Sequence, residues 1–418
     1  MGNSSILVVG GGISGLTAAV EAAEVGYDVF LVEKNPYLGG KVAQINQYFP
    51  KLCPPNCGLE INFKRIRSNP RIKFFTLAEV ESITGQEGDF TVTVKLSPRY
   101  INEKCTGCGK CVEVCPAERS NTFNYGLDKT KAVYLPHEFA FPFKYVIDGQ
   151  ACQGASCGKC VEVCPVKAVE LDMQPKTMTL QVGSIVWATG WQPYDASKLA
   201  YYGFGRYPNV ITNVMLERLA AVNGPTRGKI VRPSDGKEIT SIAFVQCAGS
   251  RDENHLKCCS TVCCMATLKQ ALYVREQYPD AKITIYYIDI RSRGKHEDFY
   301  TKVKETANVN FIKGKAGEIV EDPATGNLVV IAEDQLAQQL TKESYDLVVL
   351  ATGMQPATAA GQIPAEAGYD EDGFVASALP GIYAAGCVSG PMDVAACVQD
   401  ATAAALKAIQ SVRGQKNG

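Results

Sequence analysis

Cys105-x2-Cys108-x2-Cys111-x3-Cys115-Pro116 and Cys152-x4-Cys157-x2-Cys160-x3-Cys164-Pro165 are cysteine runs spaced for one chemistry, the ligation of [4Fe–4S] clusters. Three thiolates of a short loop reach three corners of a cubane, and the fourth, ahead of the proline, reaches the neighbouring cluster. That pattern assigns Cys105, Cys108, Cys111 and Cys164 to one cluster, and Cys152, Cys157, Cys160 and Cys115 to the other. The x4 gap after Cys152 departs from the usual x2 and makes this residue the odd ligand. Zinc also takes C-x2-C pairs, but a zinc site does not need the Cys-Pro ending. Clusters of this kind pass electrons singly.

The opening segment suits a carrier of electron pairs. Ile6-Leu7-Val8-Val9 reads as a buried parallel strand and runs into Gly10-Gly11-Gly12-Ile13-Ser14-Gly15, which fits G-x-G-x-x-G. An alanine-rich helix follows from Leu16 to Val25, then a strand from Asp28 to Val32 that ends in Glu33. Gly10 makes the turn, Gly12 lets the backbone approach a pyrophosphate, and Gly15 lets the helix pack closely on the strand. The helix N-terminus stabilises the anion, and Glu33 accepts ribose hydroxyls. A dinucleotide site and one-electron clusters on one chain are suited to splitting electron pairs.

The elements that position these groups must form more than one core, because 418 residues call for two or three domains. With 42 basic and 43 acidic residues the net charge is −1, so no nucleic-acid partner is implied. Seventeen cysteines, grouped as C-x2-C and with no export signal, favour metal ligands over disulfides in a reducing compartment. No stretch of about 18 apolar residues occurs, so no direct membrane span is expected. Asp89–Lys95 and Thr177–Val182 alternate with period two and read as strands of a small meander, with the cluster module, about 99–174, spliced between them. The spacer 116–151 is longer than a minimal two-cluster module needs. A second dinucleotide-type domain starts with the strand Ile239 to Gln246, but that strand leads into Cys247-Ala248-Gly249-Ser250-Arg251 and then Cys258-Cys259-Ser260-Thr261-Val262-Cys263-Cys264. No G-x-G-x-x-G lies there, which disfavours a pyridine nucleotide.

Tyr37-Leu38-Gly39-Gly40-Lys41, the strands ending in Ala188-Thr189-Gly190 and Ala351-Thr352-Gly353, and Gly381-Ile382-Tyr383-Ala384-Ala385-Gly386 resemble motifs of two-dinucleotide, thioredoxin-reductase-like flavoproteins. The resemblance implies an α/β fold with an inserted ferredoxin-like two-[4Fe–4S] domain. It places FAD against Gly10, Gly11, Gly12, Ile13, Ser14, Gly15, Glu33, Lys34, Gly39, Gly40, Lys41, Val80, Ala188, Thr189, Gly190, Thr352, Gly353, Gly386, Cys387, Asp393 and Val394. Cys387 stands where these flavoproteins have Asp, so the ribityl hydrogen bond must be made differently. With Gln246–Arg251 and the Cys-rich segment included, nearly the whole chain resembles the flavin-carrying A subunits of heterodisulfide reductases. In that family the Cys-rich segment holds a third cubane, which implies Cys247, Cys259, Cys263 and Cys264 as ligands and leaves Cys258 spare. Buried apolar packing is the alternative reading of these cysteines.

Lys34–Gly40, Asn46–Pro50 and Cys53–Gly58 are similar to the A subunits of the quinone-interacting membrane-bound oxidoreductase complexes of sulfate reducers. That likeness implies electron relay between adenylylsulfate reductase and a menaquinol-linked, quinone-interacting membrane subunit. It also implies, as partner, a second flavin/iron–sulfur subunit of the same type, and a cytoplasmic place beside the inner membrane. The alternatives are an NAD(P)H-dependent flavin reductase and a soluble electron-bifurcating protein like heterodisulfide reductase. The expected segments are 1–98, 175–225 and 339–418 for FAD, 99–174 for the ferredoxin insert and 226–338 for the degenerate second domain. No catalytic acid, base or nucleophile stands out. Cys53-x3-Cys57 lies near the redox-active pair position of flavin disulfide reductases, but their spacing is x4. Cys387 and Cys397 read as small core residues.

Overall fold

The computed structural model describes residues 3–414, which divide into two compact units. The first comprises 1–43, 56–191 and 356–418, and the second 44–55 and 192–355.

In the first unit, β1 (Ile6–Val9) is apolar throughout and fully buried, as a central parallel strand must be. It is followed by α1 (Ile13–Glu24), β2 (Val29–Glu33), β3 (Ile72–Thr76), β4 (Ala78–Gln86), β5 (Asp89–Leu96), β6 (Lys176–Val182) and β7 (Ser184–Trp187). The parallel sheet has the order Ile382–Ala384, β7, β1, β2, β3. The alanines of α1 are small enough for the helix to lie close to this sheet. The antiparallel meander β6-β5-β4 is apolar on alternate residues, and Phe90, Val92, Val94, Leu180 and Val182 bury against Leu7, Val9, Ile185 and Trp187. β5 and β6 pair in register from Leu96↔Lys176 to Phe90↔Val182. The chain between them therefore leaves and re-enters at one place. It forms a lobe with two four-residue helices, Lys110–Glu113 and Lys159–Glu162, and a small core around Ile101, Val133, Ile147 and Ala168.

The second unit contains β8 (Val210–Thr212), α2 (Asn213–Ala220), β9 (Ser241–Ala248), α3 (Cys263–Gln277), β10 (Lys282–Tyr287), β11 (Val309–Lys313) and β12 (Leu347–Thr352). Its parallel sheet runs β8-β12-β9-β10-β11. A three-stranded antiparallel sheet, from Ala316–Glu321 to Gln339–Tyr345, contributes Ile319, Leu328 and Val330 to the same core. Residues 192–225 pack here, not with the first unit as the segment 175–225 had it, because Tyr194, Leu199, Tyr202 and Val210 bury in this core. β12 is likewise an inner strand of this sheet, so 339–355 lie outside the first unit. The short segment 44–55 is held by a buried ion pair: Lys269 Nζ lies 3.0 Å from Glu217 Oε1 and donates to Gln47 O at 2.6 Å, and Asn46 N donates to Glu217 Oε2 at 2.9 Å.

Candidate flavin and iron–sulfur sites

β1 delivers the chain into Gly10, whose φ of +108° and proximity to the next strand both demand glycine; a Cβ would stand 2.3 Å from Ala188 O. A Cβ on Gly15 would stand 1.7 Å from Gly10 O, so α1 can start against the turn only without a side chain there. Ile13 and Ser14 form the first turn of α1, with its N–H groups free for an anion. Glu33, at the end of β2 and 5% exposed, accepts hydrogen bonds from Gly11 N (2.6 Å), Asn35 N (2.7 Å) and Asn35 Nδ2 (2.7 Å). Burial raises its carboxyl above the usual range, against the pull of those donors. Gly39 N donates to Gly11 O at 2.8 Å, and a Cβ on Gly40 would stand 2.8 Å from Gly12 Cα, so the loop carrying Lys34, Gly39, Gly40 and Lys41 closes on the glycine turn. The Lys41 ammonium is 5.1 Å from the centre of the Tyr125 ring, and burial, with Lys34 adding to it, pushes it down to about 8.

β7 leads into Ala188-Thr189-Gly190, where Trp187 Nε1 and Thr189 Oγ1 are buried without partners among the described residues. Gly386 N donates to Asp400 Oδ2 at 2.7 Å, and a Cβ on Gly386 would stand 2.1 Å from Ser14 Oγ. Asp393 Oδ1 accepts from Ala396 N at 2.8 Å and so caps the helix that begins at Val394. Cys387 lies in the turn Gly386–Val388, and Val80 is on β4 against the meander core. The side-chain-free turn and the unpartnered Thr189 hydroxyl fit a dinucleotide. Thr352 and Gly353 are counted with the second unit. They end β12 in the second unit, where Thr352 Oγ1 meets Asn213 Oδ1 at 3.1 Å and a Cβ on Gly353 would stand 2.2 Å from Ser250 Oγ.

In the inserted lobe, Cys105, Cys108, Cys111 and Cys164 line one cavity, together with Ile101, Tyr145, Val166 and Val169. Gly107 and Gly109, both with positive φ, let the loop curl round it. Burial pushes the Cys111 thiol up to about 12, and Cys105 and Cys108 add to the shift. Burial also raises Cys160, and the thiols that add to it are Cys152, Cys115 and Cys157. Four of the eight cysteines thus line one cavity, and Cys152, Cys115 and Cys157 stand close enough to Cys160 to shift it. Backbone N–H groups point at the sulfurs, Gly154 N to Cys152 Sγ at 3.3 Å and Ala168 N to Cys164 Sγ at 3.2 Å, as they do around cluster thiolates. Among the described residues no three such side chains converge on the position of a single ion. A cubane asks for something else, one thiolate on each of its four irons, so the sulfurs stand apart and do not meet at one point.

The second unit gathers another set. Cys247 ends β9 with a left-handed φ of +56°, and Arg251 (+55°) and Thr261 (+63°) repeat this strained conformation. Cys259 lies in the loop, and Cys263 and Cys264 open α3, whose N-terminal dipole favours thiolate. Burial raises Cys247, Cys263 and Cys264, the last to about 11, and Cys259 adds to all three shifts. Cys258 is half-buried and packs against the hydrophobic core. Ser250 Oγ and Ser260 Oγ, 2.9 Å apart, brace the loop, and Arg251 reaches Asp289 at 2.6 Å. Sequence reasoning missed Asn35, Asp400 and Ser260 as supports. Asn35, two residues after Glu33, carried the signal of a local Asx contact; nothing in the pattern marked the others.

A family profile described as FAD dependent oxidoreductase matches residues 5–50, and one described as 4Fe-4S dicluster domain matches residues 104–168. The chain is 43% identical over 417 residues to an iron–sulfur A subunit of the CoB–CoM heterodisulfide reductase of Methanopyrus kandleri, covering 96% of this chain and 63% of that protein. It is 40% identical to the A subunit of the "H(2):CoB-CoM heterodisulfide,ferredoxin reductase" of Methanothermobacter marburgensis, covering 98% of this chain and 64% of that one. The chain therefore spans a little under two thirds of the length of these relatives. Among solved structures, thioredoxin reductase of Lactococcus lactis superposes with a TM-score of 0.54 at 14% identity, covering 98% and 99% of the two chains. An FAD domain of thioredoxin-reductase-like fold and a 4Fe–4S dicluster domain are both present.

Proposed function

We propose that this chain, a strong homologue of the heterodisulfide reductase A subunits, is the flavin/iron–sulfur electron-transfer component of a heterodisulfide-reductase-type complex, passing electrons between FAD and [4Fe–4S] clusters to partner subunits. One observation carries the reading: the ferredoxin lobe and the 34–41 loop that closes on the glycine turn belong to one compact unit and touch directly. Phe141 O accepts from Leu38 N at 2.8 Å, and Arg99 Nη2 donates to Pro36 O at 2.6 Å. FAD, held by the Gly10–Gly15 turn, Glu33 and the Gly39–Lys41 loop, would supply two-electron chemistry, and the eight lobe cysteines would hold its one-electron acceptors. The protein's part is to orient these groups, exclude water and fix their spacing. A third cluster on Cys247, Cys259, Cys263 and Cys264 completes the reading. Its support is four thiols gathered at a helix start on a strained loop.

The test is freeze-quench electron paramagnetic resonance after photoreduction of the anaerobic holoprotein. Electrons are expected to reach reduced-cluster signals, with one set missing in Cys108→Ser; an unchanged spectrum in that variant defeats the ligand assignment. A finer reading rests on the Lys34–Gly40, Asn46–Pro50 and Cys53–Gly58 segments: a place in a quinone-interacting complex that serves adenylylsulfate reductase beside the membrane, with a second chain of similar type. Among the described residues no helix is long and apolar enough to cross a membrane, so any membrane link would run through a partner or the undescribed ends. Mass spectrometry of the native complex separates the two readings. A companion that reduces disulfides favours the first, and a quinone-binding membrane protein the second.

A further inference from the structure

We propose that Cys387 and Cys397 form a redox-active dithiol, a two-electron site separate from the clusters that closes to a disulfide at the expense of an organic disulfide. Their Sγ atoms lie 3.4 Å apart, and the residues are 5% and 4% exposed. The two come from different elements, Cys387 from the turn Gly386–Val388 and Cys397 from the first turn of the helix Val394–Gly414. Closing to an S–S bond of about 2.05 Å needs roughly 1.4 Å of approach, a distance that χ1 rotation can supply.

The two sulfurs are not equivalent. Cys387 Sγ is placed to donate to Cys397 Sγ or to Met392 O, at 3.5 Å. The hydrogen bond from Cys387 holds the Cys397 thiol below the usual range against burial, while the same bond and burial raise Cys387. The N-terminus of the helix favours a thiolate at Cys397. This is the division of labour of an attacking and a resolving thiol. In the exchange, the Cys397 thiolate attacks one sulfur of RS–SR, and RS− leaves and takes up a proton. Cys387 then gives up its proton and attacks the Cys397 sulfur of the mixed disulfide, expelling the second RSH. One disulfide is reduced and two thiols are oxidised. Beside the pair runs the partly exposed segment 389–393, where a Cβ on Gly390 would meet nothing within 4 Å.

The test needs no variant. Tryptic fragment 343–407 contains these two cysteines and no other. Anaerobic holoprotein is equilibrated in dithiothreitol redox buffers, quenched in acid, alkylated and digested. The fragment is expected to pass from doubly alkylated to unalkylated and two hydrogens lighter in one step, while the cluster cysteines stay alkylated throughout. Cys397→Ser, measured in the same way, should leave Cys387 singly alkylated at every ratio. Double alkylation of the wild-type fragment at all ratios, or an adduct on one cysteine alone, overturns the proposal. Neither result touches the cluster assignments, which rest on other residues.

Discussion

The two units use the same strand–loop–helix device with differently furnished loops. In the first, β1 enters α1 through Gly10–Gly15, a turn from which side chains have been removed so that a pyrophosphate can meet bare backbone. In the second, β9 enters α3 through a longer loop that puts side chains where the other has none: Cys247 before it, Cys259 within it, Cys263 and Cys264 on the helix. The first obtains its left-handed backbone from Gly10, and the second forces it on Cys247, Arg251 and Thr261. Positive φ costs a non-glycine residue about 1 kcal/mol or more, a cost that persists where the surroundings impose it and a bound group benefits. A parallel sheet supplies a helix N-terminus in either case; under the proposed reading, what lies in the loop decides whether it receives a nucleotide or a cluster.

The sharpest way to break this comparison is Gly15→Ala. A methyl group 1.7 Å from Gly10 O cannot be accommodated without moving the turn, so FAD is expected to be absent from the purified protein while the second unit keeps its iron. Retained FAD would show the turn is not the site. The converse change, Cys263→Ser, should remove about four irons and leave FAD bound, as measured by iron and flavin analysis. Glu33→Gln keeps the hydrogen-bonded frame around Asn35 but removes the charge, and should weaken FAD binding about tenfold, near 1.4 kcal/mol, in a titration. The smallest effect concerns Lys41. Burial lowers its ammonium from 10.5 to about 8, so the fold favours the neutral amine and the unfolded chain binds more protons between those values. This group's penalty is therefore full below pH 8 and fades as pH rises through that window. Lys41→Met should stabilise the FAD-stripped protein by up to about 3 kcal/mol at pH 7 in urea unfolding, with the gain shrinking toward pH 10.5.

Much of this was legible in the residues because short-range rules dominate there. The glycine turn, the Cys-Pro runs and the period-two strands each depend on neighbours a few positions away, and β5 does pair with β6 across the insert. What was not legible depended on tertiary packing. Thr352-Gly353 repeats the Ala-Thr-Gly ending of β7, yet β12 pairs with β8 and β9, and no local pattern states which sheet a buried apolar strand joins. Residues 192–225 read as a continuation of the FAD domain until Tyr194, Tyr202 and Val210 are seen in the other core. The segment 44–55 is held by Glu217 and Lys269, far away in sequence, through contacts that spacing cannot reveal.

The ratio of iron to flavin in anaerobically purified protein tests the central claim, that the second loop exchanged a nucleotide for a cluster, most directly. Three cubanes and one FAD predict about twelve irons per flavin. A ratio of about eight, with the lobe clusters intact, would contradict it and return Cys247, Cys259, Cys263 and Cys264 to the role of packing residues.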